Sequence, residues 1–192
     1  PPNHTSTPSS AASDVYKRQR EDGVRVTATI AVSFECPYSG PVDPGLIERI
    51  AARFLDLGAD ELCLADTIGA AHPRQVHELV SRIANGRDAS RLGCHFHDTR
   101  AMGLAKVYAA LEAGVRKFDA AIAGLGGCPF APGASGNVAT EDVVMMLEQM
   151  GLDTGIDLGR LMKAAEMAYE LTGTAPGGRA TAWIRKKLGA GD

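Results

Sequence analysis

The chain has 192 residues, 45% hydrophobic and 22% charged, a balance that supports a globular core of about one domain. Its formal net charge of −3 gives no reason to expect a nucleic acid or a membrane as partner. The longest apolar stretches fall short of the roughly 18 to 20 residues that a membrane span needs, and none joins a basic start to an apolar signal core; the expected location is cytoplasmic. Cys36, Cys63, Cys94 and Cys128 lack the Cys-x-x-Cys spacing of a zinc ribbon or a thioredoxin motif and read as free thiols in a reducing compartment.

Residues 1–20 do not share the pattern that follows. Pro1 to Ser13 is a Pro/Ser/Thr/Ala mixture without hydrophobic period, which cannot bury enough surface to offset the entropy of ordering it. With Ser-Asp-Val-Tyr-Lys-Arg-Gln at 13 to 19, it reads as a disordered or artefactual tail, leaving 21–192 as the folded domain.

From Val24 onward, strand and helix patterns alternate. A β-branched run, Val26 to Phe34, precedes a helix opened by Asp43-Pro44, with Ile47, Ile50, Ala51 and Phe54 at helical spacing and Gly58 placed to end it. A strand at Glu61 to Asp66 leads to a helix from about Pro73 that carries Val76, Leu79, Val80 and Ile83 on one face. The third unit is a strand at Leu92 to His97 and a helix bearing Leu104, Val107, Tyr108 and Leu111; the fourth is a strand at Lys117 to Ala123, a glycine loop, and a helix from about Thr140 to Met150. Two more helical patterns, Leu158 to Leu171 and Thr181 to Leu188, close the chain.

Four consecutive βα units predict a parallel sheet with helices outside. Polar residues recur where the strands end: Cys36, Asp66-Thr67, His97-Asp98, and Gly124 to Cys128. That polarity is the mark of a (β/α)8 TIM-barrel, whose site is built from the βα loops at one rim. Because a complete barrel takes about 250 residues, the expectation is an α/β barrel truncated to about its C-terminal four βα units plus C-terminal helices.

His95 and His97 stand two apart on the third strand, so both imidazoles point to one face. Such a pair suits a divalent metal, and it equally suits a hydrogen-bonded polar patch. Asn137, after a glycine, reads as a helix cap or a turn residue, and Asp66 as a cap for the turn after its strand. Cys63 and Cys94 are expected to pack beneath the helices, and His4, His72 and His77 are poor ligand candidates.

Four segments together resemble the C-terminal half of the 3-hydroxy-3-methylglutaryl-CoA lyase family. They are Glu-Cys-Pro-Tyr-Ser-Gly (35 to 40), Ala-Asp-Thr-Ile-Gly (65 to 69), His-Phe-His-Asp-Thr-Arg (95 to 100) and Gly-Leu-Gly-Gly-Cys-Pro-Phe-Ala-Pro-Gly-Ala-Ser-Gly-Asn-Val-Ala-Thr-Glu-Asp (124 to 142). The last is the most specific. The resemblance implies an Mg²⁺ or Mn²⁺ ion held by His95, His97 and Asn137, with Cys128 as the catalytic acid and Asp66 and Thr67 facing the substrate. The family's further metal-ligand aspartate and substrate arginine lie on its first strand, which has no counterpart here, so the chain as given is expected to be inactive.

The implied reaction is retro-Claisen cleavage of a CoA thioester to acetyl-CoA and acetoacetate, a step of leucine degradation and ketone-body metabolism. A metal on the tertiary hydroxyl would lower its pKa, and an acid must then protonate the enolate carbon. The family also suggests a homodimer. The alternatives are a Claisen-type acyltransferase of the isopropylmalate and homocitrate synthase branch, which typically lacks the Cys-Pro loop, and a non-catalytic fragment.

Overall fold

The computed structural model describes residues 18–19, 21–127, 136–173 and 178–189; most of the expected tail and Cys128 lie outside them. Strands β1 (Thr27–Ile30), β4 (Glu61–Asp66), β5 (Leu92–Phe96) and β6 (Lys117–Asp119) form a parallel sheet in that order. Between the first two, a small antiparallel hairpin of β2 (Glu35–Cys36) and β3 (Gly40–Pro41) follows the run expected as strand, which as strand stops at Ile30. Ser33 ends that run, its hydroxyl donating to the Ile30 carbonyl at 2.9 Å.

The crossovers are helices α1 (Pro44–Asp56), α2 (Pro73–Ala84) and α3 (Gly103–Glu112), and α4 (Thr140–Gln149) follows the glycine loop. The first two begin where the local chemistry favours it. Asp43 accepts from the Gly45 amide at 3.0 Å ahead of Pro44, and His72 makes a capping box with Gln75 ahead of Pro73. His72 is thus a helix cap, in line with its dismissal as a ligand. Helices α5 (Leu158–Thr172) and α6 (Thr181–Lys187) complete the described chain, and among the described residues no helix is long and apolar enough to cross a membrane.

Side chains alternate across the strands, and the two faces of the sheet differ in chemistry. Ala28, Ile30, Leu62, Leu64, Leu92, Cys94 and Phe96 pack on Ile47, Ala51, Val76, Val80, Ile83, Val107 and Ala110 of the helices. This is the hydrophobic core. The other face carries Thr27, Thr29, Glu61, Cys63, Ala65, His95, Lys117 and Asp119, aligned by the pairs Ala65↔His95 and His95↔Asp119. Lys117 and Arg25 both pair with Glu61 there, and the Lys117 ammonium holds the Glu61 carboxyl below its usual pKa.

Three sequence expectations shift. Cys63 belongs to the polar face, its thiol 3.7 Å from Asp119 Oδ2, whereas Cys94 packs beneath the helices as expected. Tyr108 is 45% exposed and lies outside the apolar contact face of α3. The fourth strand stops at Asp119 and gives way to a 3-10 turn at Ile122–Gly124, inside which Ala123 has φ 58°.

Candidate functional site

The loops at the C-terminal ends of β4, β5 and β6 converge. His97 follows the last residue of β5 and forms an isolated antiparallel bridge with Asn137, so the far end of the glycine loop returns against the end of β5. The neighbouring bonds fix this return: the Val138 amide donates to the Phe96 carbonyl at 3.0 Å and the Asp98 amide to the Gly136 carbonyl at 2.9 Å. Residues 40 apart in sequence are thereby placed side by side.

The imidazoles of His95 and His97 meet edge to face, with ring centroids 5.3 Å apart. His95 is half-buried and His97 buried. The Asn137 amide nitrogen donates to the Leu125 carbonyl at 2.7 Å, which fixes the amide orientation and leaves Oδ1 buried without a partner. His97 Nδ1 is also buried without a partner. Two orphaned polar atoms in one small region are costly unless something completes them.

Burial, reinforced by the neighbouring His95, lowers the His97 pKa and keeps the ring neutral at ordinary pH, the state in which imidazole can ligate a cation. Two imidazole nitrogens and an amide oxygen suit a borderline-to-hard divalent ion such as Mn²⁺ or Mg²⁺. The residues present therefore fit the metal that the family resemblance implies. Among the described residues there is no group of three or more His, Cys, Asp or Glu side chains that could hold a metal; the fit depends on the amide of Asn137.

Gly126 shows how tightly the loop is built around that amide. Its φ is +101°, and a Cβ added there would stand 2.7 Å from Asn137 Nδ2. Gly126→Ala is expected to displace the amide and weaken divalent-cation binding while helix content stays native, measured by Mn²⁺ titration beside far-UV circular dichroism. Unchanged binding would separate Asn137 from the metal.

Asp66 departs from the substrate-facing position inferred for it. It alternates to the helix side of β4 and is 1% exposed; Oδ1 accepts from the Ala70 amide at 2.9 Å, and Oδ2 from the Ala71 amide at 3.1 Å and Lys106 Nζ at 2.6 Å. The turn-cap reading is the one this geometry carries. The Thr67 hydroxyl donates to the Ala31 carbonyl, tying the loop after β4 to the end of β1. Arg100 reinforces the same rim, its guanidinium donating to the carbonyls of Gly69, Ala70 and Ala71. Cys128 lies outside the described residues.

Three buried charged groups were not singled out from the sequence: Lys106, Glu141 and Asp142, the last accepting from the Arg179 and Ala180 amides at 2.8 and 2.9 Å. Lys106, on α3, is 0% exposed. Its signal was faint: a lysine one position before Val107, on a helix whose other core positions are apolar. Glu141, also 0% exposed, accepts from the Ala123 amide at 3.0 Å through Oε2, while Oε1 is buried without a partner. It thereby braces the left-handed Ala123 at the start of the glycine loop, a conformation that costs about 1–3 kcal/mol.

Burial raises the Glu141 pKa. The folded state then holds this proton more tightly than the unfolded chain, so the associated stability is full below the ordinary glutamate value of 4.5 and is lost as pH rises through the folded value. Glu141→Gln is expected to flatten that decline, read by urea unfolding from pH 4.5 upward. An unchanged slope would assign the decline to other groups. The buried thiols stay protonated: Cys63 is pushed up to about 12, mainly by burial and then by Asp119, and burial raises Cys94 well above the usual thiol value.

The chain is similar to known proteins along most of its length. Residues 10–168 match the family model described as HMGL-like. The chain is 42% identical over 166 residues to hydroxymethylglutaryl-CoA lyase of Pseudomonas mevalonii, covering 86% of this chain and 55% of that protein. It is 44% identical over 147 residues to (R)-citramalyl-CoA lyase of Chloroflexus aurantiacus, covering 77% and 46%. A crystal structure of hydroxymethylglutaryl-CoA lyase from Pseudomonas aeruginosa superposes with a TM-score of 0.85 at 38% identity, covering 91% of this chain and 58% of the other. The chain spans about half the length of the curated relatives it matches. From the model match across most of its length, and from a parallel α/β sheet that superposes on the lyase barrel, the chain belongs to the HMGL-like family.

Proposed function

We propose that this chain is the C-terminal part of a (β/α)8 barrel lyase that cleaves 3-hydroxy-3-methylglutaryl-CoA to acetyl-CoA and acetoacetate. The observation that carries the reading is the pair of buried polar atoms without partners, His97 Nδ1 and Asn137 Oδ1, beside His95. His95, His97 and Asn137 would hold Mg²⁺ or Mn²⁺. When bound, the ion supplies Lewis acidity toward the substrate's tertiary hydroxyl.

The other roles fall to the chain's own residues. The burial that lowers the His97 pKa keeps its ring available as a neutral ligand. The bond from Asn137 Nδ2 to the Leu125 carbonyl presents Oδ1. Cys128, in the loop braced at one end by Glu141 and at the other by the His97–Asn137 bridge, would deliver the proton that the enolate carbon of acetyl-CoA must receive. Asp66 and Thr67 would act by shaping the rim rather than by touching substrate. The cytoplasm and a homodimer are the expected setting.

The test is acetoacetate release from 3-hydroxy-3-methylglutaryl-CoA with Mg²⁺. It compares the 192-residue chain, a version extended to full barrel length, and the extended Cys128→Ala variant. Activity in the extended protein that is lost with Cys128→Ala is expected. No release from the extended protein would sink the substrate assignment. The Chloroflexus relative favours a second reading, cleavage of citramalyl-CoA, which the same comparison run with citramalyl-CoA as substrate would reveal as pyruvate release.

A further inference from the structure

We propose that Lys106, anchored by Asp66, is a positioning residue that holds the backbone of His97 in place and so sets where its imidazole stands. The inference deepens the proposed metal site and rests on that reading for its consequence, although the geometry stands by itself. His97 lies one residue beyond the β5 ladder and is held to the glycine loop by a single bridge. The β4–β5 ladder reaches its amide and not its carbonyl. The two main-chain polar groups of His97 are held by one pair of side-by-side residues: the His97 amide donates to the Asp66 carbonyl at 3.4 Å, and the His97 carbonyl accepts from Lys106 Nζ at 2.7 Å.

Lys106 is held in turn. Nζ donates to Asp66 Oδ2 at 2.6 Å and lies 5.6 Å from the centroid of the Phe96 ring. Asp66 is fixed by the Ala70 and Ala71 amides. Both side chains of the ion pair are 0% exposed. A buried lysine is rare because desolvating an ammonium is costly, and a pair of apolar side chains could fill the same space. What an apolar pair could not do is donate to the His97 carbonyl. The ion pair therefore joins the ends of β4 and β5 through the first turn of α3, with a candidate metal ligand at the junction.

The test uses the 192-residue chain labelled with ¹⁵N-histidine. It compares the native protein with Lys106→Met, with the double variant Asp66→Asn/Lys106→Met, and with Val80→Ala, a core change on α2 outside the site that lowers stability. Two quantities are read: imidazole ¹⁵N resonances without metal, and Mn²⁺ affinity by EPR titration. Both Lys106 variants are expected to shift or broaden the His97 ring signals and to weaken Mn²⁺ binding by about 10- to 100-fold, the range for residues that orient a metal ligand; Val80→Ala moves neither.

If Lys106→Met does not fold, the double variant, which removes both buried charges, decides. Native ring signals in a folded Lys106 variant would overturn the proposal, whatever the metal affinity. If the native chain binds no Mn²⁺ and the His97 ring still shifts, the metal reading fails and the positioning role stands.

Discussion

Lys106→Met is expected to lower the unfolding free energy by about 3–5 kcal/mol, because it leaves the Asp66 carboxylate buried without its counter-charge. Adding Asp66→Asn should recover part of that loss, since a neutral amide keeps one of the two backbone bonds and carries no charge to desolvate. The double variant is thus more stable than Lys106→Met alone. Urea denaturation of the native chain, both single variants and the double variant gives the coupling directly. A loss below about 1 kcal/mol for Lys106→Met, the range of an exposed ion pair, would mean that water reaches the pair and that the dry geometry is wrong. The exposed Arg74–Glu78 pair supplies the contrast within the same protein, as its removal should move stability by about 0–1 kcal/mol.

The parts of the fold that were legible in the sequence are those in which local chemistry and burial agree. Strand Glu61–Asp66 and the helices that open at Pro44, Pro73 and Thr140 lie where hydrophobic period and turn residues place them. The first strand ran short because the chain turns after Ile30, where the Ser33 hydroxyl donates to the Ile30 carbonyl, and the apolar Val32 and Phe34 look the same in a strand and in such a turn. The fourth strand ran short because Ala123 adopts a left-handed backbone, which alanine does not announce. Glu141 makes it tenable from 18 residues away, a tertiary cause that no local window contains.

The candidate site was partly legible for the same reason. His95 and His97 are two apart, and strand periodicity alone put them on one face. Asn137 needed the resemblance, since by itself it reads as a cap, and only the fold brings it against His97. Asp66 was placed on the substrate side although alternation from Ala65, which faces His95, turns it to the helices. Lys106 was passed over because a lysine on a helix is ordinarily solvated; its burial exists only once Asp66 and the His97 carbonyl meet it.

His95→Ala should remove divalent-cation binding with little loss of fold, a separation the buried His97 cannot offer. His95 is half-buried on the polar face of the sheet, outside the hydrophobic cluster, so its truncation opens no cavity in the packed core. In the ligand role proposed for it, its loss should weaken Mn²⁺ binding by more than about 100-fold, beyond what residues that only orient ligands usually contribute. In the protein extended to barrel length, acetoacetate release should fall to background in parallel. Mn²⁺ binding that survives in His95→Ala, with a native melting curve, would reduce the His-x-His pair to the polar patch that its spacing also allows. The edge-to-face contact of the rings, 5.3 Å between centroids, would then serve packing alone. If binding and turnover instead fall together while the melt stays native, the polar face of the sheet is the working face, and the half-buried imidazole on it is kept for chemistry rather than for the core.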